Sequence, residues 1–200
     1  MGCTSGFLSI VDLQRAATSG NDARNCRSVC WTLTNRNQNQ QRIIPDMMFN
    51  CRGNISKWIV GSYQQRSQDY SAYLELQIWR LRDGSSSVYT RQQRSRFRDS
   101  SCENGVTSVS TNVYSCTLPS PGLAVQPGDI LGIYQPRRRN SRYIMYVDRR
   151  TGGTSLQTYI SRSSTSLSDI SQATADSVQP LVAVEIGKPY NELYLGHTIM

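Results

Sequence analysis

The chain has 200 residues, 38% of them hydrophobic, which is enough for one domain with a buried core. Its composition, with glycine, proline, serine and threonine spread along the chain, favours a globular all-β domain over a disordered chain. Arginine supplies 20 of the 22 basic residues, and the formal net charge of +8 attracts polyanions at long range.

Residues 1–42 show little hydrophobic periodicity, so we expect an irregular N-terminal segment that packs on the domain. Within it, Phe7–Val11 fits either a short strand or the start of a helical turn. The polar run Asn35–Gln41 is typical of a loop. No secretory signal is recognisable at the start of the sequence, so any such signal is expected to lie outside it.

Regular strand patterns begin at Ile43. Two apolar stretches, Ile43–Cys51 and Ile55–Gly61, flank Gly53 and Asn54, which predicts a β-hairpin with its turn at those two residues. In Tyr73–Arg82, apolar and polar residues alternate, which predicts a strand with one buried and one wetter face.

Further strands follow at short intervals. Asp83 and Gly84 predict a turn after Tyr73–Arg82, with Ser87–Thr90 as the returning arm. A stretch rich in valine, threonine and tyrosine, Gly105–Leu118, predicts one long strand, long enough to contain a bulge. The remaining predicted strands are Leu123–Val125 and Ile130–Tyr134, joined as a hairpin by Gln126–Asp129, then Tyr143–Val147, Ser155–Ile160 and Leu181–Ile186.

This pattern predicts the fold class. Eight or more strands at regular spacing argue for an all-β, two-sheet antiparallel sandwich that is jelly-roll-like, formed by residues 1–187 as a single domain. Ser161–Ser177 is rich in serine and threonine and is expected to be a long loop, with a helical turn near Leu167–Ala173. Residues 188–200 are expected to be a tail or linker, and no apolar run is long enough to span a membrane.

The cysteines indicate a compartment. They fit no zinc pattern, because there is no C-x-x-C pair and the single histidine is His197 near the end of the sequence. An even count in an arginine-rich, lysine-poor β-chain favours an oxidised extracellular domain, with free buried cysteines of a cytosolic protein as the alternative. The sequence does not choose among the pairings of the disulfide candidates Cys3, Cys26, Cys30, Cys51, Cys102 and Cys116.

Arginines are concentrated in two stretches. The first is predicted to be an exposed edge or loop, because four closely spaced positive charges disfavour burial. If both stretches shared a surface, a sulfated glycan, anionic lipid or nucleic acid would bind there through guanidinium hydrogen bonds, whereas the alternative is solvated loops without a ligand. These candidate polyanion-binding residues are Arg91, Arg94, Arg96 and Arg98, then Arg137, Arg138, Arg139 and Arg142.

Signals for catalysis and cofactors are weak. With one histidine, the chain offers no credible base for serine or cysteine catalysis, and no phosphate-binding glycine motif occurs. A glycosidase carboxylate pair is the remaining enzymatic alternative, since such pairs assemble in space rather than in sequence. Asp129 and Asp148 have the oxygen ligands that calcium prefers, although an aspartate in a turn more often accepts from its own backbone. We therefore expect no catalytic residues, metal or cofactor.

Two further features concern surface and core. Asn54-Ile55-Ser56 is the single N-glycosylation sequon of the sequence and lies at the tip of the predicted hairpin. Trp58 and Trp79 fit core or sheet-face positions better than exposed sugar-stacking platforms.

Several motifs occur in a recognisable order. They read IIPDMMFNCRGNISKWIVG, LELQIWR with VYT, CENG with VYSC, and VQPGDILGIYQP. In that order they resemble an uncharacterised ectodomain module of large secreted and membrane-anchored proteins of simple marine animals such as sponges and corals. The resemblance covers residues 2–187 and carries no known activity, whereas the arginine load at 91–98 and 137–139 departs from it.

The resemblance implies an extracellular β-sandwich and a partial assignment of the cysteines. Cys51, Cys102 and Cys116 would belong to the common core, with Cys3 as the fourth. Cys26 and Cys30 would be additional here and would pair with each other.

We therefore expect a non-catalytic extracellular recognition or adhesion module of a secreted or cell-surface protein. Its expected partner is a protein or a glycan, with a sulfated glycan as the natural polyanion in that setting. One alternative is a jelly-roll structural or coat protein that binds nucleic acid through its arginine loops. A less favoured alternative is a carbohydrate-active enzyme.

Overall fold

The computed structural model of the chain is built mainly from β-strands. It describes residues 3–19, 39–64, 73–136, 142–144, 146–148, 156–161, 168–171, 175–176 and 178–187. Within these ranges there is one α-helix, α1 (Ile10–Ser19), and one 3₁₀ turn (Asp99–Ser101). The strands are β1 (Thr4–Ser5), β2 (Asn39–Phe49), β3 (Gly53–Gln64), β4 (Leu74–Leu81), β5 (Val88–Phe97), β6 (Val106–Ser110), β7 (Val113–Thr117), β8 (Leu123–Val125), β9 (Ile130–Gln135), β10 (Arg142–Ile144), β11 (Tyr146–Asp148), β12 (Leu156–Ser161), β13 (Asp169–Ser171), β14 (Ala175–Asp176), β15 (Val178–Pro180) and β16 (Val182–Gly187).

Most strands belong to two antiparallel sheets that pack face to face. The large sheet has the order β13-β5-β4-β9-β2-β12-β14, with β1 added beside β2. The small sheet has the order β10-β3-β7-β6, and β16 and β8 also pair with β3. A separate two-stranded sheet joins β11 and β15. The predicted all-β, two-sheet antiparallel sandwich is confirmed.

Strand β3 is the centre of the small sheet. Its 12 residues are long enough to pair with two successive strands on each side. β8 and β7 pair along one side, and β16 and β10 along the other. Almost every backbone group of β3 is therefore used in the sheet, which makes this strand the backbone support for its neighbours.

The core between the sheets is mainly apolar, and a hydrogen bond of Trp58 crosses it. Trp58 of β3 is completely buried, and its Nε1–H donates to Ser95 Oγ of β5 at 2.9 Å. This bond gives the indole its polar partner and links the two sheets directly. The surrounding core is formed by Ile44, Phe49, Leu76, Ile78 and Leu131 of the large sheet and by Ile55, Val60, Cys116 and Val182 of the small sheet.

Helix α1 covers the other face of the small sheet. Leu13 and Ala17 are one helical turn apart, and both pack in a buried cluster with Ile59 and Leu181. The helix starts after Ser9, whose Oγ accepts from the backbone N–H of Asp12 at 3.1 Å. The expectation of an irregular segment over residues 1–42 is therefore wrong for α1 and for the first residues of β2, whereas residues 20–38 lie outside the described part.

Two of the predicted hairpins are wrong. β2 belongs to the large sheet and β3 to the small sheet, so the chain crosses between sheets there instead of folding back. Gly53 and Asn54 are the first residues of β3 and not a turn. The predicted hairpin of β8 and β9 is wrong for the same reason, because these two strands belong to different sheets. A short loop cannot show from its sequence whether the next strand pairs with the previous one or faces it across a core.

Other strand predictions hold in part. β4 and β5 form the predicted hairpin. Gly105–Leu118 is not one strand but a second hairpin, β6 and β7, because Asn112 adopts a positive φ of 61° that turns the chain. Tyr143–Val147 is divided between β10 in the small sheet and β11 in the two-stranded sheet.

The Ser/Thr-rich stretch 161–177 is described only in part. Asp169–Ser171 is strand β13, paired with β5, so the helical turn predicted near Leu167–Ala173 is wrong at those residues. Residues 188–200, the predicted tail, lie outside the described part. Within the described ranges, no helix has the length and apolarity needed to cross a membrane.

We expect Trp58→Phe to lower the free energy of unfolding by about 1–3 kcal/mol, because the smaller ring leaves a cavity and Ser95 loses its donor. Urea unfolding measures this change. A double-mutant cycle with Ser95→Ala isolates the hydrogen bond, for which we expect a coupling energy of about 0.5–1.5 kcal/mol. A coupling energy of zero would contradict a direct bond between the two sheets at this position.

Candidate functional site

The outer face of the large sheet, turned away from the small sheet, carries a set of polar side chains. Strand register places Gln41 of β2, Tyr134 of β9, Glu75 of β4 and Arg96 of β5 in one cross-strand row. The next row consists of Ile43, Gly132, Gln77 and Arg94, in the same strand order. In the row after that, Trp79 of β4 lies opposite Arg91 of β5. We call the polar face the set Gln41, Glu75, Gln77, Trp79, Arg94, Arg96 and Tyr134.

The centre of the polar face is buried and hydrogen-bonded. The Oε1 atom of Gln77 accepts from Trp79 Nε1 at 2.7 Å and from Gln41 Nε2 at 2.8 Å. Its Nε2 donates to Glu75 Oε1 at 2.7 Å. One amide therefore links three side chains on two strands that are not adjacent, and all four residues are at most 1% exposed.

This burial contradicts one prediction made from the sequence. The polar positions of β4 were expected to form its wetter face, but Leu74–Trp79 is buried at every position. Burial of these polar side chains is tolerated because Glu75, Gln77 and Trp79 are hydrogen-bonded to one another. These hydrogen bonds compensate for the desolvation of the polar groups. Trp58 and Trp79 are both completely buried, which confirms that neither is an exposed stacking platform.

Gly132 leaves the space that the indole of Trp79 needs. A Cβ atom added at Gly132 would meet Trp79 Nε1 and Cδ1, at 2.2 and 2.3 Å, and would come within 3.2 Å of Gln77 Oε1. These distances are well inside van der Waals contact. Only glycine at this position allows the indole to lie against β9 and reach Gln77.

Two buried polar atoms of the face, Gln41 Oε1 and Tyr134 Oη, have no hydrogen-bond partner among the described residues. Each unpaired group costs about 1–3 kcal/mol relative to a solvated or paired state. The pKa of Tyr134 is raised to about 12, chiefly by burial and then by the neighbouring Tyr73 and Glu75. Tyr134 and Glu75 are direct partners in the register of β9 and β4.

Two arginines lie above Glu75. Arg94 Nη1 is 3.6 Å and Arg96 Nε is 4.0 Å from Glu75 Oε2, which are ion-pair rather than hydrogen-bond distances. The two arginine side chains are 48% and 42% exposed, whereas the carboxylate below them is 1% exposed. The guanidinium of Arg96 also lies over the ring of Tyr73, 4.7 Å from its centroid. The partly exposed side chains of both arginines thus lie over the buried carboxylate of Glu75.

The first predicted arginine stretch is therefore a strand that presents charge at a sheet edge. In the described pairings, β13 covers only Val88–Thr90, and the rest of β5 has β4 as its strand partner. The pKa of Arg91 is lowered, first by burial and then by the neighbouring Arg94. Arg98 follows the strand, and its Nε donates to Ser101 Oγ at 3.0 Å.

The second arginine stretch is not brought onto this face by any described contact. Arg137, Arg138 and Arg139 lie outside the described residues. Arg142 begins β10 in the small sheet, where its backbone pairs with Gln64, and its side chain is outside the described part. That both stretches share one surface stays a prediction.

Asp129 has a structural partner. Its carboxylate receives Arg80 Nε at 2.7 Å and Nη2 at 3.0 Å, and it also accepts from the backbone N–H of Gln126 at 3.0 Å. The side chain is fully buried, so this pair fixes the turn before β9 against β4. Calcium coordination by Asp129 is therefore not supported. The side chain of Asp148 is outside the described part. The described residues contain no group of three side chains able to hold a metal ion.

The described cysteines form two disulfides, Cys3–Cys51 and Cys102–Cys116. Cys26 and Cys30 lie outside the described residues, so their pairing stays a prediction. Two disulfides indicate that the chain folds in an oxidising compartment. The first joins the N-terminal segment to the β2–β3 connection, and the second joins the residue after the 3₁₀ turn to β7.

The sequon has an unexpected position. Asn54 is the second residue of β3 and lies on the face opposite Ile55, which points into the core. Its neighbours in register are Ala124 and Gly187, which are both small and exposed. Only small residues therefore flank the Asn54 side chain, although the backbone of Asn54 is paired with a strand on each side.

Comparisons of the chain with protein-family models, with curated proteins and with solved structures find no match.

We expect Gly132→Ala to lower the free energy of unfolding by about 1–3 kcal/mol, because the new methyl group displaces the Trp79 indole from Gln77. Gly187→Ala is the matched control, since a Cβ there meets only Asn54 O at 3.8 Å, and it should change stability by less than about 0.5 kcal/mol. Urea unfolding of both variants measures the difference. Equal losses would show that Gly132 is not specifically required by the indole.

Proposed function

We propose that this chain is a non-catalytic extracellular recognition module of a secreted or cell-surface protein, and that it binds an anionic glycan through the arginines of β5. The observation that carries the proposal is the exposed pair Arg94 and Arg96 over the single buried carboxylate of Glu75. Both arginine side chains are partly exposed, so this edge of the sheet presents guanidinium groups to solvent.

The chemistry of this edge suits sulfate and carboxylate groups. A guanidinium presents its N–H groups in a planar fork that matches these anions, and such charge-assisted bonds are stronger than neutral ones. The contacts of Arg94 and Arg96 with Glu75 Oε2 hold both side chains near one point of the sheet. An incoming anion therefore meets two fixed guanidinium groups and needs to order little of the protein.

The compartment supports a glycan as the polyanion. The disulfides Cys3–Cys51 and Cys102–Cys116 are compatible with an oxidising extracellular setting, where sulfated and carboxylated glycans are the abundant polyanions. The sequon at Asn54 adds to this support. Nucleic acid, which the same arginines attract, is the competing outcome of the experiment below.

We expect Arg94→Gln/Arg96→Gln to weaken binding to immobilised heparin by at least about tenfold, because two charge-assisted contacts are lost. The matched control is Arg15→Gln/Arg52→Gln, which removes the same charge from two exposed positions outside the large sheet's polar face. Binding is measured by surface plasmon resonance at two salt concentrations, and thermal unfolding verifies that each variant is folded.

Three results of this experiment bear on the proposal. Arg94→Lys/Arg96→Lys keeps the charge, so a loss of binding in this variant as well indicates recognition by guanidinium groups rather than by charge alone. Equal weakening in the control pair would contradict a site on β5. Tighter binding of a single-stranded DNA 20-mer than of heparin, at the same salt concentration, would contradict a glycan partner.

We expect expression through a secretory pathway to add one N-glycan at Asn54. The side chain lies between Ala124 and Gly187 and is not hindered by bulky neighbours. Intact mass before and after treatment with an N-glycosidase measures the modification. Asn54→Gln should abolish it, whereas Asn104→Gln, an exposed asparagine outside a sequon, should leave it unchanged. An unmodified secreted protein would contradict this expectation.

A further inference from the structure

We infer that the segment of residues 102–106 is a site of spontaneous covalent modification, at which the backbone nitrogen of Gly105 attacks the side-chain amide of Asn104 and converts this residue to isoaspartate and aspartate. Water is the only other reactant. The inference goes beyond the proposed function and does not depend on it, because it concerns the connection between the 3₁₀ turn and β6 and not the arginines of β5.

Asn104 is the only asparagine of the chain that is followed by glycine. The backbone nitrogen of the next residue can attack an asparagine amide, but the side chain of that next residue normally hinders the approach. Glycine has no Cβ atom, so the nitrogen of Gly105 is open to approach. Asn104 is therefore the asparagine of this chain at which the reaction is chemically easiest.

The side chain of Asn104 is accessible and is not held by the fold. Asn104 is exposed and precedes the first residue of β6, Val106, so it lies outside the strand ladder. Within the described part of the chain, its side-chain amide has no hydrogen-bond partner that would keep it away from the backbone. Water reaches this amide, and the ammonia that the reaction releases can leave.

The attacking nitrogen is only weakly held. The N–H of Gly105 donates to Cys102 O at 3.3 Å, which is longer than the about 2.9–3.0 Å usual for such a bond. Gly105 also has a φ of 70°, which residues with a side chain rarely adopt. The turn therefore favours glycine at the one position where glycine makes Asn104 reactive.

The reaction balances without an oxidant or a cofactor. A bond forms between Gly105 N and Asn104 Cγ, the Cγ–Nδ2 bond breaks, and ammonia leaves with the proton of the Gly105 N–H. Water then opens the cyclic imide at either carbonyl group. Opening at Cγ gives aspartate, whereas opening at the main-chain carbonyl gives isoaspartate, whose backbone runs through the former side chain and is one methylene longer.

The product changes the start of β6. Asp99 Oδ1 accepts from the backbone N–H of Val106 at 2.9 Å and would lie 3.6 Å from a Cβ atom added at Gly105. The modification introduces a negative charge at residue 104, which repels the Asp99 carboxylate. The longer backbone also displaces Gly105 relative to Asp99. We therefore expect the bond between Asp99 and Val106 to weaken in the isoaspartyl form.

The other side of the segment stays anchored. Cys102 is joined to Cys116 of β7 by a disulfide, and the N–H of Glu103 donates to Thr117 O at 2.9 Å. Neither contact involves residue 104. The modified chain therefore remains folded, with a change confined to the start of β6, the last strand in the order of its sheet.

The test incubates the native full chain in mildly alkaline buffer made with water enriched in oxygen-18 and maps its peptides by mass spectrometry. We expect Asn104 to be converted with uptake of one oxygen-18 atom, and the isoaspartyl and aspartyl peptides to separate by chromatography. Asn50 is the internal control, since it is exposed but is followed by Cys51, and it should stay unmodified. An intact Asn104 after a time that converts the reduced, denatured chain would overturn the inference, as would equal conversion of Asn50.

Two variants test the role of the glycine. Gly105→Ala should slow the conversion at least about tenfold, because its methyl group hinders the attacking nitrogen. A Cβ there meets only Asp99, at 3.6 and 4.0 Å, so the variant has room to fold, which thermal unfolding verifies. If it does not fold, Asn104→Gln takes its place, because its longer side chain must close a larger ring and should stay unmodified. Conversion of either folded variant at the native rate would overturn the inference.

Hydrogen exchange of the purified isoaspartyl form tests the structural consequence. We expect the amide of Val106 to exchange at least about tenfold faster than in the unmodified chain, because it loses the Asp99 acceptor. The amide of Glu103, which is bonded to Thr117 O, is the control and should keep its protection. Unchanged exchange at Val106 would overturn the proposed effect on β6.

Discussion

The large sheet depends on the amide of Gln77, because this group makes burial of a polar row acceptable. Its oxygen accepts from Trp79 and Gln41, and its nitrogen donates to Glu75. Without it, the indole of Trp79 would lose its hydrogen-bond acceptor, and Glu75 Oε1 and Gln41 Nε2 would each lose one partner, which is costly in a buried network. The hydrogen bond from the same amide also positions the Glu75 carboxylate below Arg94 and Arg96. The buried network therefore influences where the two guanidinium groups lie at the edge of the sheet.

The two sheets differ in what their outer faces carry. β3, Trp58 and the Cys102–Cys116 disulfide form a small sheet whose residues pack on the core on one side and, through Ile59, on α1 on the other. The large sheet meets the same core on one side and carries the polar face on the other. Arg94 and Arg96 lie on the part of β5 beyond its pairing with β13, and their side chains are 48% and 42% exposed. Substitutions there change charge with little effect on packing, whereas substitutions in β3 act on the whole sandwich.

The sequence predicted the elements better than their arrangement. The alternation in Tyr73–Arg82 and the Asp83-Gly84 turn correctly predicted β4 and its hairpin with β5, because both signals are local. Whether β3 returns beside β2 depends on contacts with strands far along the chain, and the loop sequence does not contain that information. The arginines were visible from composition. Glu75, Gln77 and Tyr134 were not, because a polar residue at every second position is the pattern of a solvated face, and only the register of three strands brings these side chains together.

The central position of β3 has a consequence for the order of events during synthesis. Its partner β16 lies near residue 185, and the contact between Ser56 and Glu185 joins residues 129 positions apart. At ordinary rates of translation, the chain needs on the order of ten seconds to extend from one to the other. During that interval β3 lacks the neighbour that completes its hydrogen bonds, and Asn54 belongs to an incomplete sheet. A residue that is paired on both sides in the finished domain is therefore accessible to enzymes that act on the growing chain.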